Sequence, residues 1–446
     1  MNILMHSAPE LPLADGLAPR ACALAILQQV LAQKKPLDQI LDTEPSFHRL
    51  DARDRAFVRM IVATTLRRKG QIDDLIARAM DKGQEPRPDT LRYILYIGIT
   101  QILFMDVPDH ASVDTTVSLA AQNGMEKQKG FVNAVLRRMI SEGVEWAKKQ
   151  DDIALNFPDW ILRAWIADYE LSKTLDIATA SLAEAALDIT VKKKEEEKLW
   201  ESTLDAPRLP TGTLRRAGGG NVAEMPGLSD GSWWVQDAAS SLPVRLMGDI
   251  AGKHVIDLCA APGGKTMQLA AAGAHVTAVD RSASRMKIVH ENLARTGLQN
   301  NVETVIADGS EWKPQQLADI VLVDAPCTAT GTIRRHPDLL HLKTERDLQQ
   351  LIGVQARLLD NAASMVNGKG GFIYYCTCSL QKDEGERQVD RFVHDHPEFK
   401  RAPFKSVEAP ALASAITDYG DLRILPYHLA PHGGMDGFFI ARLERI

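Results

Sequence analysis

Two short segments end in turns that carry cysteine: Asp324-Ala325-Pro326-Cys327 and Cys376-Thr377-Cys378-Ser379. A thiolate is an intrinsically strong nucleophile, yet a free thiol with pKa near ~8.5 is only a few per cent ionised at neutral pH. A reacting cysteine therefore needs surroundings that favour its anion. Upstream, Val255-Ile256-Asp257-Leu258-Cys259-Ala260-Ala261-Pro262-Gly263-Gly264-Lys265-Thr266 reads as a strand, a tight loop and a helix start. Its glycines and small alanines let a ligand come close to the backbone, and the helix start offers unpaired N–H groups. The Gly-Lys-Thr run invites a phosphate-loop reading, but Cys259 stands where that pattern needs glycine, and the G-x-G-x-x-G fingerprint fails as well. A nucleotide-like ligand without a triphosphate fits better.

These residues need a scaffold that brings them together. From Trp233 onward, short β-branched runs alternate with amphipathic helices, the pattern of a parallel sheet covered on both faces. The predicted strands are His254–Leu258, His275–Asp280, Val302–Ala307, Asp319–Asp324 and Phe372–Cys376. Ligands of open α/β sheets bind beyond the C-terminal strand ends, so all the candidate groups fall on one rim. Asp280 closes the second strand, where a carboxylate can accept from both ribose hydroxyls; Asp308 follows the third and could meet the exocyclic amine of an adenine. Either aspartate alone reads more readily as a turn or cap residue, and three consecutive strand ends carrying suitable groups reverse that preference. The fourth and fifth strands should be neighbours, so that Cys327 and Cys378 face one pocket. Cys22, Cys259 and Cys376 read as small buried hydrophobes, and the five cysteines make neither a disulfide framework nor a paired zinc pattern.

The N-terminal third is different. Apolar residues recur at helical spacing, predicting helices over Arg20–Gln33, over Asp51–Arg68 with Phe57, Ile61 and Thr64 or Met60 on one face and an end near Gly70, and over a largely apolar Thr90–Met105. Three domains follow: an all-α domain over 15–143, a small α/β linking module over 144–231 with a helix starting at Phe157-Pro158-Asp159-Trp160, and an α/β domain over 232–446. The linking module holds the charged run Lys192–Lys198 and the Gly218-Gly219-Gly220 stretch. No apolar run is long enough for a transmembrane helix and the N-terminus lacks a secretory signal, so a cytoplasmic monomer is expected. A net charge of −6 gives no global reason to expect a nucleic-acid partner. Local patches offer one: Arg67-Arg68-Lys69, Arg137-Arg138 and Arg334-Arg335 are candidate phosphate contacts, although exposed basic pairs are often plain solvated surface.

The segments Cys259–Thr266, Asp324–Cys327 and Thr377-Cys378-Ser379, in this order, resemble the cofactor, Pro-Cys and Thr-Cys motifs of the Sun/Nop2 family of RNA 5-methylcytosine methyltransferases. Val235-Gln236-Asp237, Arg334-Arg335-His336-Pro337-Asp338 and Gly437-Phe438-Phe439 resemble its bacterial RsmB-type branch (Sun/Fmu), which modifies 16S ribosomal RNA. Asp51–Leu75, Thr100–Val113 and Gly130–Arg138 are similar to the NusB-type RNA-binding domain carried by that branch. Cys376 stands where the family commonly has a small hydroxyl residue. The resemblance implies a Rossmann-like S-adenosylmethionine-dependent methyltransferase domain behind an all-α NusB-like domain and a linking module. It implies S-adenosylmethionine as cofactor, bound by Cys259, Ala260, Ala261, Pro262, Gly263, Gly264, Lys265, Asp280, Arg285, Asp308 and Asp324, no metal, and ribosomal RNA or a subunit assembly intermediate as partner.

Carbon 5 of cytosine is too weak a nucleophile to take a methyl group directly; a thiolate added to carbon 6 makes it enamine-like. On that reading Cys378 attacks carbon 6, Asp324 hydrogen-bonds N3 and Lys265 steadies charge on the base. Cys327, as the resemblance implies, assists either loss of the carbon-5 proton or expulsion of Cys378. Two other readings stay open: a methyltransferase of another substrate class, which leaves both cysteines and the helical domain without purpose, and a non-catalytic RNA-binding or assembly factor.

Overall fold

The structure, a computed structural model, describes residues 16–80, 84–218 and 221–446; Gly219 and Gly220 of the glycine stretch and the first fifteen residues lie outside them. The chain forms two compact units, one running to Phe157 together with Leu340–Leu342, the other comprising the rest.

The first unit is helical, built on Leu17–Leu31, Ala52–Ala79, Asp89–Leu103, Asp109–Gln122 and Lys129–Arg138. Ile26, Leu27, Val30, Ile61, Val62, Leu66, Ile94, Leu95 and Ile97 fill its core. Two expectations need correction. The second predicted helix does not end near Gly70 but continues to Ala79, because Gly70 is a packing position: a Cβ there would lie 1.7 Å from the carbonyl oxygen of Leu155. The short helix Asp152–Asn156 presses its backbone onto that bare position, and Asn156 Oδ1 accepts the Gln71 N–H at 3.1 Å. This contact carries the first unit past Gly143 to Phe157. Met60 is exposed, since the buried stripe runs instead through Val58, Ile61, Val62, Thr65 and Leu66.

The second unit opens with a helix over Asp159–Ser181, broken by the non-helical backbone of Glu170. Three antiparallel strands follow, β1 (Leu187–Val191), β2 (Leu214–Arg216) and β3 (Trp233–Val235), in the order β2-β1-β3. A buried Arg215–Asp188 pair at 2.6 Å clips β1 to β2. Then come β4 (His254–Leu258), β5 (His275–Asp280), β6 (Val302–Ile306), β7 (Ile320–Asp324), β8 (Phe372–Thr377), β9 (Phe399–Arg401), β10 (Leu422–Ile424) and β11 (Phe438–Arg445). The sheet order is β10-β11-β8-β7-β4-β5-β6, with β9 on β11; β4 to β8 are parallel and β11 runs against β8. The chain order reverses between β4 and β7, which opens a crevice at their carboxyl ends. Parallel register sets Asp324 beside Cys376 across β7 and β8.

Candidate active site

The loop after β4 lies at that crevice. Cys259 and Gly263 have left-handed backbone, with φ of 63° and 102°, which folds the loop tightly before the helix Gly264–Ala271. Ala260 N–H donates to the Val279 carbonyl at 3.1 Å and Ala261 N–H to Asp280 Oδ2 at 3.2 Å, so the end of β5 holds the loop. Arg285 donates to the Ala261 carbonyl and lies 3.7 Å from Asp280 Oδ2. Among the described residues no group pairs with the N–H groups of Gly264, Lys265 and Thr266, and a Cβ on Gly264 would meet nothing nearer than the Gln236 amide at 3.8 Å. The open side of the loop is thus a small cradle of free donors. Asp308 is exposed and spends Oδ1 on its own turn, accepting Ser310 N–H at 2.9 Å and Ser310 Oγ–H at 2.7 Å, which holds its carboxyl below the usual range. Its other oxygen accepts no bond among the described residues.

Beneath the loop, Asp257 is completely buried and takes the Thr266 hydroxyl at 2.6 Å on one oxygen, while the other has no hydrogen-bond partner among the described residues. Burial, reinforced by the neighbouring carboxylates of Asp324 and Asp280, pushes it up to about 7. The sequence reading passed over this aspartate because mid-strand burial is invisible until the sheet is assembled.

Lys265 turns from the helix start to Asp324, with Nζ 2.6 Å from Oδ2 and 5.3 Å from the centre of the Phe438 ring. Burial opposes its charge, but Asp324 outweighs burial and holds the ammonium above its ordinary value. Cys376 is buried as expected of a small hydrophobe, yet its Sγ–H also reaches Asp324 Oδ1 at 3.5 Å. Burial and the Asp324 charge drive its thiol well up, so it stays a neutral donor. Asp324 is thereby fixed from both sides by partners on different elements.

One rim position further along, Cys327 and Cys378 face each other with their sulfurs 3.4 Å apart. Cys327 is held well above the ordinary thiol range by its hydrogen bond with Cys378 and by burial, which favours its protonated form, and either sulfur can be the donor across the pair. Cys259, raised to about 12 by burial and the Asp324 charge, is inert, and Cys22 lies in the helical core. Among the described residues, no group of histidine, cysteine and carboxylate side chains could hold a metal.

The basic candidates divide. Arg67 and Arg334 are buried, contrary to a role on the surface, and Arg335 Nε is tied to the buried Asp436 at 2.7 Å. Arg68 pairs with Asp152 at 3.3 Å and Lys69 with Asp73 at 2.7 Å. Arg137 and Arg138 are exposed, Arg138 pairing with Glu142 at 3.0 Å.

A parallel sheet reversing at β4, a glycine loop at the reversal and catalytic-type groups on one rim define a Rossmann-like methyltransferase domain, here behind an all-α unit. Residues 247–444 match the family model of the 16S rRNA methyltransferase RsmB/F, and residues 17–141 match that of the NusB family. The chain is 30% identical to the probable ribosomal RNA small subunit methyltransferase B of Synechocystis sp., covering 96% of this chain and 100% of the relative. It is 31% identical to the ribosomal RNA small subunit methyltransferase B of Pectobacterium atrosepticum, covering 96% and 98%. The crystal structure of PH0851 superposes with a TM-score of 0.76 at 25% identity, covering 98% of this chain and 100% of that one. NSun6 from Pyrococcus horikoshii shares the fold over 65% of this chain and 98% of its own, at TM-score 0.54 and 18% identity. The chain belongs to the RsmB/F family of 16S rRNA methyltransferases, with an N-terminal NusB domain. No helix of the described residues is long and apolar enough to cross a membrane.

Proposed function

We propose that this protein transfers a methyl group from S-adenosylmethionine to carbon 5 of a cytosine in 16S ribosomal RNA, with Cys378 as covalent nucleophile and Cys327 as its resolving partner. The observation that carries the reading is the 3.4 Å approach of the two sulfurs beside the Lys265–Asp324 pair.

The cradle suits the cofactor. The unpaired N–H groups at Gly264–Thr266 and the bare face of Gly264 admit close contact with its amino-acid portion, Asp280 is the carboxylate assigned to the ribose hydroxyls although both its oxygens already accept from Ala261 and Ser282 N–H, Arg285 braces the loop, and the spare oxygen of Asp308 can accept an adenine amine. When bound, the cofactor supplies an electrophilic methyl group on a sulfonium sulfur. Everything else falls to the chain. Cys378 adds as thiolate to carbon 6, and the ring electrons it displaces collect on N3 and at carbon 5. The charge collecting on N3 is met by a proton passed from the Lys265 ammonium through Asp324, the carboxylate that Lys265 and Cys376 hold. After carbon 5 is methylated, loss of its proton re-forms the C5–C6 double bond and Cys378 leaves with the electrons of the C–S bond. Cys327, 3.4 Å from that sulfur, takes the carbon-5 proton or supplies one to the departing Cys378.

The base must leave its stack to reach the rim, which favours a loop or unpaired nucleotide. The helical unit is the RNA-binding partner of this reading, with Arg137 and Arg138 as its exposed cations. In the test, Cys378→Ala abolishes methylation, whereas Cys327→Ala accumulates an enzyme–RNA adduct that survives denaturing electrophoresis. Equal loss of activity in both variants with no adduct would overturn the scheme.

A further inference from the structure

A carboxylate that no motif singles out lies between the two cysteine loops. Glu384 follows Cys378 by six residues, at the end of the short turn Lys382–Glu384, and its side chain has no solvent exposure. Oε1 accepts the Thr328 N–H at 2.9 Å and Gln355 Nε2–H at 2.8 Å, while Oε2 accepts the Thr328 hydroxyl. Thr328 is the residue after Cys327. Having given its proton to the carboxylate, the Thr328 hydroxyl can only accept from Ser379 Oγ, 3.1 Å away, and Ser379 is the residue after Cys378. Gln355 also donates to the Pro326 carbonyl at 2.9 Å, and Tyr375 Oη–H donates to the backbone carbonyl of Glu384 at 2.7 Å.

We propose that Glu384 is a positioning residue that sets the Cys327–Cys378 separation, by holding the residue after each cysteine through one hydrogen-bonded chain running Glu384–Thr328–Ser379. The inference rests on the two-cysteine reading above. Full burial rules out contact with RNA, so any effect on the reaction passes through the cysteines. Only donors surround the carboxylate oxygens, which suits the ionised form; burial raises its carboxyl, and the hydroxyl and amide donors around it oppose that rise. The charge also helps Cys327 to retain its proton.

Glu384→Gln keeps the size but sets an amide among the same donors, and Thr328→Val removes only the relay hydroxyl. In the full-length protein the first measurement is the rate at which diamide closes a Cys327–Cys378 disulfide, followed by intact mass and peptide mapping. The dithiol is oxidised as diamide is reduced to its hydrazine, so neither RNA nor cofactor is involved. The wild-type pair should close readily; Glu384→Gln should be about tenfold slower, as expected of a displaced reacting pair, even though loss of the Glu384 charge alone would ease ionisation of Cys327, and Thr328→Val, which keeps that charge, should be slowed in the same direction. With RNA and S-adenosylmethionine, Glu384→Gln should lose multiple-turnover rate more than single-turnover methyl transfer and accumulate the adduct expected of Cys327→Ala. Disulfide closure at the wild-type rate in both variants, or an equal fall in single- and multiple-turnover rates, overturns the inference. If Glu384→Gln fails to fold, Thr328→Val decides the matter. Absence of adduct in Cys327→Ala strikes the cysteine mechanism instead, and the disulfide rates still judge Glu384 independently.

Discussion

Asp257 offers a sharp test of the electrostatics under the cofactor loop. Its folded pKa of about 7 lies well above the roughly 3.9 of an unfolded aspartate, so the folded state holds the proton more tightly. Such a group contributes stability that is fully present below the unfolded value and is lost as pH rises through about 7. Applying the linkage relation between about pH 5.5 and about pH 8.5 gives a loss of about 2 kcal/mol from this one residue. Asp257→Asn abolishes the titration and keeps an oxygen to accept the Thr266 hydroxyl, now at 2.6 Å. The variant should therefore gain about 2 kcal/mol on the wild type over that interval. Other shifted groups, such as Asp421 at about 6 and His428 at about 4, titrate in both proteins and cancel in the difference. Because two compact units need not unfold together, the suitable assay is hydrogen exchange of the 254–258 strand, with wild type and variant side by side at each pH. A stability difference that stays constant with pH would refute the reasoning.

Two further predictions concern the scaffold and the cradle. Helix propensity alone would have Gly70→Ala stabilise the protein by about 1 kcal/mol; the 1.7 Å approach to the Leu155 carbonyl reverses the sign. We expect a loss of about 3 kcal/mol, read by thermal unfolding, and an unchanged Tm would contradict the packing. Asp280→Ala removes the acceptor for Ala261 and Ser282 N–H groups at 3.2 and 2.9 Å, and S-adenosylmethionine affinity measured by calorimetry should fall about tenfold or more. Unaltered affinity would remove Asp280 from the cofactor site.

Much of the architecture was legible because it is local. The runs β5 and β7 end in their functional aspartates, β4 leads straight into the Cys259–Gly264 loop and β8 into Cys378, so strand period and turn residues mark them in the sequence. Helix ends were less secure: Gly70 looked like a stop signal, and only the backbone of Leu155 explains why glycine is needed there inside a continuous helix. Basic pairs were misleading in the same way, since Arg67 and Arg334 have the composition of a surface and the burial of a core.

By itself, then, the order of residues determined the helical and α/β halves, the loop, and which side chains stand at strand ends, because strand period, helix period and turn chemistry act over a few neighbours. Tertiary structure decided how those ends meet. The parallel register of β7 on β8 sets Cys376 against Asp324, the Lys265 side chain crosses from another element to the same carboxylate, and Glu384 reaches a threonine far back in the chain. Such contacts form only when distant segments are closely packed, and burial then fixes which groups keep their charge and which keep their proton.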